Sequence, residues 1–404
     1  MIKREMYLKK IRPYVDKPFV KVITGMRRSG KSAILQILRN EFIEGGVSEK
    51  NIIFISFESM KYDYIENAST LYEEISSLIK NKKKYYLFLD EIQEVKDWEK
   101  AINSFLVDFN IDIYITGSNS KLLSSELATY IAGRYIEISI YPLSFKEHLL
   151  FKKEVGEEDI LPLEKELEHY IRLGGFPVVH TSKYSPDDAY KIIYDIYSSI
   201  VLRDIIQRNN IRNIELLDRI VKFVFDNIGN TFSAKKIADY FKSQQRKVDL
   251  NTVYNYLIML EAAFIIQKVS RYDLKGKKIL QTNEKFFLGD PSLKYAVMGF
   301  KDRDISGILE NIIYLELKRR GYNVYIGKLN DKEIDFIAER KEEKIYIQVA
   351  YKMSSEETIQ REFSPLLEIK DHYPKFVITM DEFFQDNIQG VKHLKLLDFL
   401  LETF

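Results

Sequence analysis

An α/β fold built on a mainly parallel sheet is what this sequence predicts, and three observations carry the prediction. Apolar, β-branched runs alternate with stretches of helical spacing through the first 140 residues. One of those runs breaks into a glycine loop that opens a helix. Polar residues close several of the runs, where a parallel sheet presents its carboxyl edge and binds ligands.

The first core strand lies in Lys21-Val-Ile-Thr-Gly25, after a short helix and Pro13 and Pro18. It continues as Gly25-Met-Arg-Arg-Ser-Gly30-Lys31-Ser32 and then as the helical run Ala33–Arg39. Strand, G-x-x-x-x-G-K-S and helix is the context of a phosphate-binding loop. Backbone N–H groups and the helix N-terminus would meet phosphate oxygens. Lys31 is expected on the β- and γ-phosphates, and Ser32 on Mg²⁺. The binding candidates are Gly25, Met26, Arg27, Arg28, Ser29, Gly30, Lys31, Ser32 and Ala33. For Arg27 and Arg28, phosphate contact and sheet-edge packing are both open.

Asn51–Phe57 reads as a second strand and Leu71–Lys80 as a helix. Tyr85-Tyr-Leu-Phe-Leu-Asp90-Glu91 is a strand ending in the Walker B pattern. Asp90 would bind Mg²⁺, and Glu91 would polarise the attacking water as general base. Trp98, the one tryptophan, is expected to pack. Ile111–Ser120 is a strand with a polar end, where Thr116, Ser118 and Asn119 are either sensors of the γ-phosphate or an ordinary turn. A helix is expected from Leu122 to Ile131, before Gly133-Arg134 and the strand Tyr135–Ile140. Two readings stand for Arg134: an arginine finger acting on a neighbouring subunit, which implies a homo-oligomer, or a helix C-cap.

Residues 1–143 are therefore expected to form the phosphate-loop core and 144–210 a helical lid, broken at Gly174-Gly-Phe-Pro177. Arg203 and Arg208 in the lid are either nucleotide sensors or solvated charges. Residues 211–285 show three helical runs and two strand-like runs, 263–272 and 277–283, around Asp273-Leu-Lys-Gly-Lys-Lys278. That order predicts a winged helix-turn-helix. Residues 231–285 hold eleven Lys/Arg and five Asp/Glu, a surplus of +6 in a chain of net charge +1. DNA is the expected partner, with Thr252, Asn255 and Tyr256 toward the groove and Lys275, Lys277 and Lys278 on phosphates. A winged helix used for protein contact is the alternative.

Residues 286–404 follow the order helix Glu310, strand Asp335, strand Gln348-x-Ala350. This is the order of the PD-(D/E)xK nuclease fold, in which two acidic groups hold a divalent metal and a lysine stabilises developing charge. Glu310, Asp335 and Gln348 fit the ligand positions. Ala350 stands where the lysine belongs, and Lys352 would have to reach back along its strand face. An inactive or altered nuclease-like module is expected.

Composition sets the remaining bounds. The 404 residues contain no cysteine, which excludes disulfides, thiolate zinc sites and cysteine nucleophiles. The charged start lacks an apolar signal core. No stretch approaches the roughly twenty apolar residues that span a bilayer, so a cytoplasmic protein without membrane contact is expected.

The sequence resembles a family of archaeal and bacterial P-loop ATPases of the AAA+ superfamily with a C-terminal nuclease-like domain of unknown function. The likeness runs over nearly the full length. Its most specific carriers are Val22–Ser32, Leu89-Asp-Glu-Ile-Gln93 and Ile115–Ser120. Tyr141-Pro-Leu-Ser-Phe145, Leu173-Gly-Gly-Phe-Pro177, Leu309-Glu-Asn311, Glu333-Ile-Asp-Phe336 and Ile347-Gln-Val-Ala350 add to it in combination. The resemblance implies ATP and Mg²⁺ as cofactors and hydrolysis by Lys31, Ser32, Asp90 and Glu91. The Gln-x-Ala departure is usual in such relatives, which weighs against cleavage. The leading expectation is an ATPase that couples nucleotide state to DNA binding. Its rivals are an ATP-gated metal-dependent nuclease and a nucleotide-switched scaffold with a protein partner.

Overall fold

The computed structural model describes residues 1–120, 130–131, 133–156, 161–245, 248–299, 305–381 and 387–402, with the backbone alone at 281–283. Most of the helix expected from Leu122, and the basic residues Arg246 and Lys247, lie outside the described residues. The chain forms two compact units, Met1–Tyr141 with Ala262–Phe264, and Pro142–Glu261 with Ile265–Phe404.

Five strands build the sheet of the first unit: β1 (Val20–Thr24), β2 (Ile52–Ser56), β3 (Tyr85–Asp90), β4 (Ile111–Gly117) and β5 (Tyr135–Ser139). All pairings are parallel, in the order β2-β3-β4-β1-β5. Alternate side chains feed two cores, as the two-residue period of a strand requires. Val22, Leu87, Leu89, Ile113 and Ile115 pack with Leu71, Ile75, Trp98 and Phe105 on one face. Ile23, Phe88, Tyr114 and Ile138 pack with Tyr7, Leu8, Ile34 and Leu38 on the other. Helices therefore cover both faces. The phosphate loop leaves β1 at the carboxyl edge and enters the helix Lys31–Glu44.

At the opposite edge, the Lys21 ammonium is buried against Asp112, which also accepts from the Tyr114 hydroxyl at 2.8 Å and the Asp16 amide at 2.9 Å. This brace fixes the starts of β1 and β4.

The second unit opens with the helices Phe145–Glu154, Leu163–Leu173 and Pro186–Ser199, the last continuing as a π-helix over Ile200–Gln207. The glycine motif has a steric origin. Gly174 has φ +66°, and a Cβ on Gly175 would lie 2.3 Å from the Leu143 carbonyl oxygen. The Gly175 amide donates to buried Asp290 at 2.8 Å, while Arg319 donates to the carbonyls of Pro142 and Leu143. The Pro-Leu and Gly-Gly motifs are thus parts of one joint.

Nine strands make its sheet, in the order β13-β14-β12-β11-β10-β9-β7-β8-β6. They are β6 (Thr231–Phe232), β7 (Ile266–Asp273), β8 (Lys278–Leu288), β9 (Asn323–Leu329), β10 (Lys332–Arg340), β11 (Glu343–Val349), β12 (Lys375–Thr379), β13 (Asn387–Ile388) and β14 (Val391–Lys395). The hairpin β7–β8 follows the helices Ile214–Asp226, Ala234–Ser243 and Leu250–Ala262. It does not stand alone: β7 pairs in parallel with β9. The border expected at 285/286 falls inside β8, so one sheet runs through both segments.

Candidate functional site

The phosphate loop gets its shape from left-handed backbone at three positions, two of them glycines. Gly25, Arg28 and Gly30 have φ of +148°, +65° and +99°. A Cβ on Gly25 would lie 2.2 Å from the Ile140 carbonyl oxygen, so only glycine fits there. Behind the loop, buried Arg4 donates to the carbonyls of Ser29 at 2.8 Å and Tyr141 at 2.9 Å, with its guanidinium 4.6 Å from the Tyr7 ring. Arg4 was not found by sequence reasoning; a lone arginine just before the amino-terminal helix Glu5–Ile11 belongs to no motif.

Within the site, Lys31 Nζ lies 3.2 Å from Glu91 Oε1 and donates to the Met26 carbonyl at 3.2 Å. Ser32 Oγ donates to Asp90 Oδ1 at 3.0 Å, and Thr116 Oγ1 donates to the same oxygen at 2.6 Å. The Glu91 amide donates to Thr116 Oγ1 at 2.9 Å, and Ser56 Oγ donates to Asp90 Oδ2 at 3.3 Å. Gln93 Nε2 donates to Glu91 Oε2 and to Ser118 Oγ. Asn119, next to Ser118 in the chain, is buried. Ends of β1, β3 and β4 thereby bring together Lys31, Ser32, Asp90, Glu91, Thr116 and Ser118.

The two acidic neighbours differ. Burial pushes the Asp90 carboxyl above its usual range, against hydrogen bonds from Thr116 and Ser32. Burial also pushes Glu91 upward, but the Lys31 ammonium and bonds from Gln93 and Ser118 outweigh it and hold the carboxyl at about 2. Glu91 is consequently an ionised base held by a cation. Gln93, inside a motif quoted for its resemblance, takes a role that spacing alone does not reveal.

The loop fits a nucleotide with Mg²⁺ on grounds of its own chemistry. Among the described residues, buried Ser29 Oγ has no hydrogen-bond partner, and it lies within the loop. Ser32 and Asp90 form a hydroxyl–carboxylate pair of the hard-oxygen type that Mg²⁺ takes. Met26 is buried, Ala33 half-buried, and Arg28 exposed at the loop tip. Arg27 forms an ion pair with Glu58.

Arg134 does not join this group. It precedes β5, whose first residue pairs with Val20 and whose last pairs with Thr24. Four residue steps at about 3.3 Å place it roughly 13 Å or more from the loop's edge of the sheet. The residue is exposed, and its carbonyl accepts from the Val20 amide at 2.8 Å.

In the second unit, the acidic residues expected to hold a metal surround a lysine instead. Buried Lys285 Nζ lies 3.0 Å from Glu310, 2.8 Å from Glu333 and 3.4 Å from Asp335. Burial lowers the Lys285 ammonium, but these carboxylates outweigh it and hold it protonated. Gln348 has both amide atoms engaged: Oε1 accepts from the Asp335 amide at 3.3 Å, and Nε2 donates to Glu362 at 3.1 Å. Among the described residues, no three His, Cys, Asp or Glu are arranged to hold a metal ion. The expected ligand set of Glu310, Asp335 and Gln348 therefore does not fit a divalent cation as it stands. Lys352 is exposed over the Tyr351 ring and does not reach back. Lys285 was counted only as a basic residue, because it comes from β8, far away in sequence.

One further expectation is corrected. Tyr256 is buried, with its hydroxyl on the Asn213 carbonyl at 3.4 Å, and so cannot face a groove. Arg208 is half-buried with its guanidinium 3.8 Å from Asp204, and Arg203 is exposed.

Residues 17–149 match a family model described as an AAA domain, and residues 164–304 match one described as a domain of unknown function. An uncharacterised protein of Haemophilus influenzae is 40% identical over 405 residues, covering 100% of this chain and 99% of that protein. The uncharacterised protein MJ1544 of Methanocaldococcus jannaschii is 34% identical over 349 residues, covering 83% of this chain and 75% of its own. The Walker-type ATPase PABY2304 of Pyrococcus abyssi shares the fold with a TM-score of 0.55 at 17% identity, over 74% of this chain and 96% of that one. No described helix is long and apolar enough to cross a membrane.

Proposed function

The chain belongs to one family with these uncharacterised relatives and carries an AAA domain, and we propose from that premise that it hydrolyses ATP and couples nucleotide state to DNA binding. The observation that carries the hydrolysis reading is the Lys31–Glu91 pair at 3.2 Å. Phosphate oxygens in the loop compete for the Lys31 ammonium. As Lys31 turns to them, Glu91 loses the cation that holds its carboxyl down and becomes a stronger base toward water. Gln93 and Ser118 keep it oriented. Ser32 and Asp90 would hold Mg²⁺, whose charge offsets that of the phosphates. Thr116 serves as the polar contact at the end of β4.

DNA binding rests on the helices Ala234–Ser243 and Leu250–Ala262, the hairpin beside them, and the +6 surplus across 231–285. Thr252 and Asn255 remain on the accessible side of their helix. Docking rather than cleavage is the role assigned to the last third, because Lys285 fills the place of the cation. Arg134 acts, in this reading, on a second copy's nucleotide. ATP turnover by wild type and Lys31→Ala, with and without duplex DNA, tests the proposal. Turnover lost in the variant and changed by DNA supports it; no wild-type turnover removes the hydrolase, and indifference to DNA removes the coupling.

A further inference from the structure

The hairpin turn that carries Lys275 and Lys277 is not a free-standing wing. Arg271, Tyr272 and Asp273 pair with Ile326, Gly327 and Lys328, and the Leu274 amide donates to the Lys328 carbonyl at 3.0 Å. The turn is clamped in the sheet and forms one wall of a groove of about 940 Å³. The other wall is the segment after the helix Glu356–Leu367, carrying Lys370 and Tyr373. Lys275, Lys277 and Lys370 are exposed. Between the walls, Lys344 Nζ lies 5.3 Å from the ring centre of Tyr272 and 5.8 Å from that of Tyr373.

The carboxylates of the groove are already occupied. Glu368 pairs with Lys332 at 2.6 Å. Asp371 pairs with Lys375 at 3.3 Å and accepts from the Tyr346 hydroxyl. The lysines on both walls are left to attract a polyanion. The tyrosines narrow its identity. A duplex stacks its bases on one another and offers the groove only backbone, to which an aromatic face adds little. An acidic peptide would use the lysines and leave the rings unused. Unpaired bases use both, with phosphates on the lysines and base faces on the rings.

We propose that this groove binds single-stranded nucleic acid. The inference rests on the nucleic-acid reading above and names the form of strand that this surface takes. Fluorescence anisotropy of the full chain tests it with three probes: a labelled oligothymidylate, a labelled duplex and a labelled oligoglutamate. The single strand should bind more tightly than oligoglutamate. Charge reversal at Lys275, Lys277 and Lys370 together should weaken it by at least roughly tenfold. Tyr373→Ala should weaken the single strand by roughly tenfold and leave oligoglutamate unchanged, while Tyr373→Phe keeps the stacking face and the affinity. A thermal unfolding profile unchanged from wild type confirms that each variant is folded. Single-strand affinity that survives Tyr373→Ala, or that oligoglutamate equals, overturns the proposal. If duplex binds while the single strand does not, the groove assignment fails and DNA binding stands. If neither binds, both fail.

Discussion

Lys31 Nζ lies 3.2 Å from Glu91 Oε1, with both side chains buried. The lysine that should meet phosphate is held by the carboxylate that should activate water. Each therefore satisfies the other's charge.

Removing one partner exposes this dependence. Lys31→Ala leaves Glu91 buried without its cation, and should cost about 3–5 kcal/mol of stability as well as nucleotide affinity. Adding Glu91→Gln should restore most of the stability and none of the affinity. Denaturant unfolding and titration with a fluorescent ATP analogue read the two effects separately. A double variant as unstable as the single one would show that the pair is not coupled.

Gly25→Ala tests the backbone of the loop. The new Cβ would meet the Ile140 carbonyl oxygen at 2.2 Å, at φ +148°. A shift of the loop or of β5 must follow, with a loss of about 1–3 kcal/mol and of ATP-analogue binding. Wild-type affinity in this variant would show that the loop relaxes without consequence.

Lys285 makes a prediction in metal chemistry. Lys285→Met leaves Glu310, Glu333 and Asp335 without their shared cation. The variant should lose about 3–5 kcal/mol of stability and recover part of it with Mn²⁺, while wild type should not respond. Thermal melts with and without Mn²⁺ decide this. An equal response of both proteins would mean that the lysine does not replace the metal.

Acid sensitivity should trace to His180. Burial lowers it to about 3, with His148 acting in the same direction. An unfolded histidine titrates near 6.5, so between those values the unfolded chain binds more protons. Stability then falls as pH drops through that window, by about 1.4 kcal/mol per pH unit for one proton. Asp290, raised to about 6 by burial, has the opposite sign, gaining stability as pH falls from about 6 toward its unfolded value. The histidine signature is therefore a difference: His180→Gln should flatten the loss seen in wild type. Parallel stability–pH curves would assign the sensitivity elsewhere.

Local chemistry was legible in the sequence where it lies in continuous motifs. The strand, the glycine loop and Lys31-Ser32 are contiguous, as are β3 and Asp90-Glu91, so their places at the strand ends follow from order alone. The apolar runs through Val22-Ile23 and Leu87-Phe88 read as buried strands of a mainly parallel sheet. What escaped depends on contacts between distant residues. Arg4 reaches Ser29 and Tyr141 through folding of the amino-terminal helix. Lys285 meets Glu310, Glu333 and Asp335 because β7 pairs with β9 and carries β8 with it. That pairing also removed the border drawn between hairpin and tail. Hydropathy records that a strand is buried, not which strand it joins.

Phosphate release from ATP by wild type and Glu91→Gln, with and without duplex DNA, addresses the central claim most directly. The account predicts steady turnover by wild type that DNA alters, and a loss of roughly 10²–10⁴-fold in the variant, which still binds the nucleotide. Turnover by Glu91→Gln at the wild-type rate would contradict it.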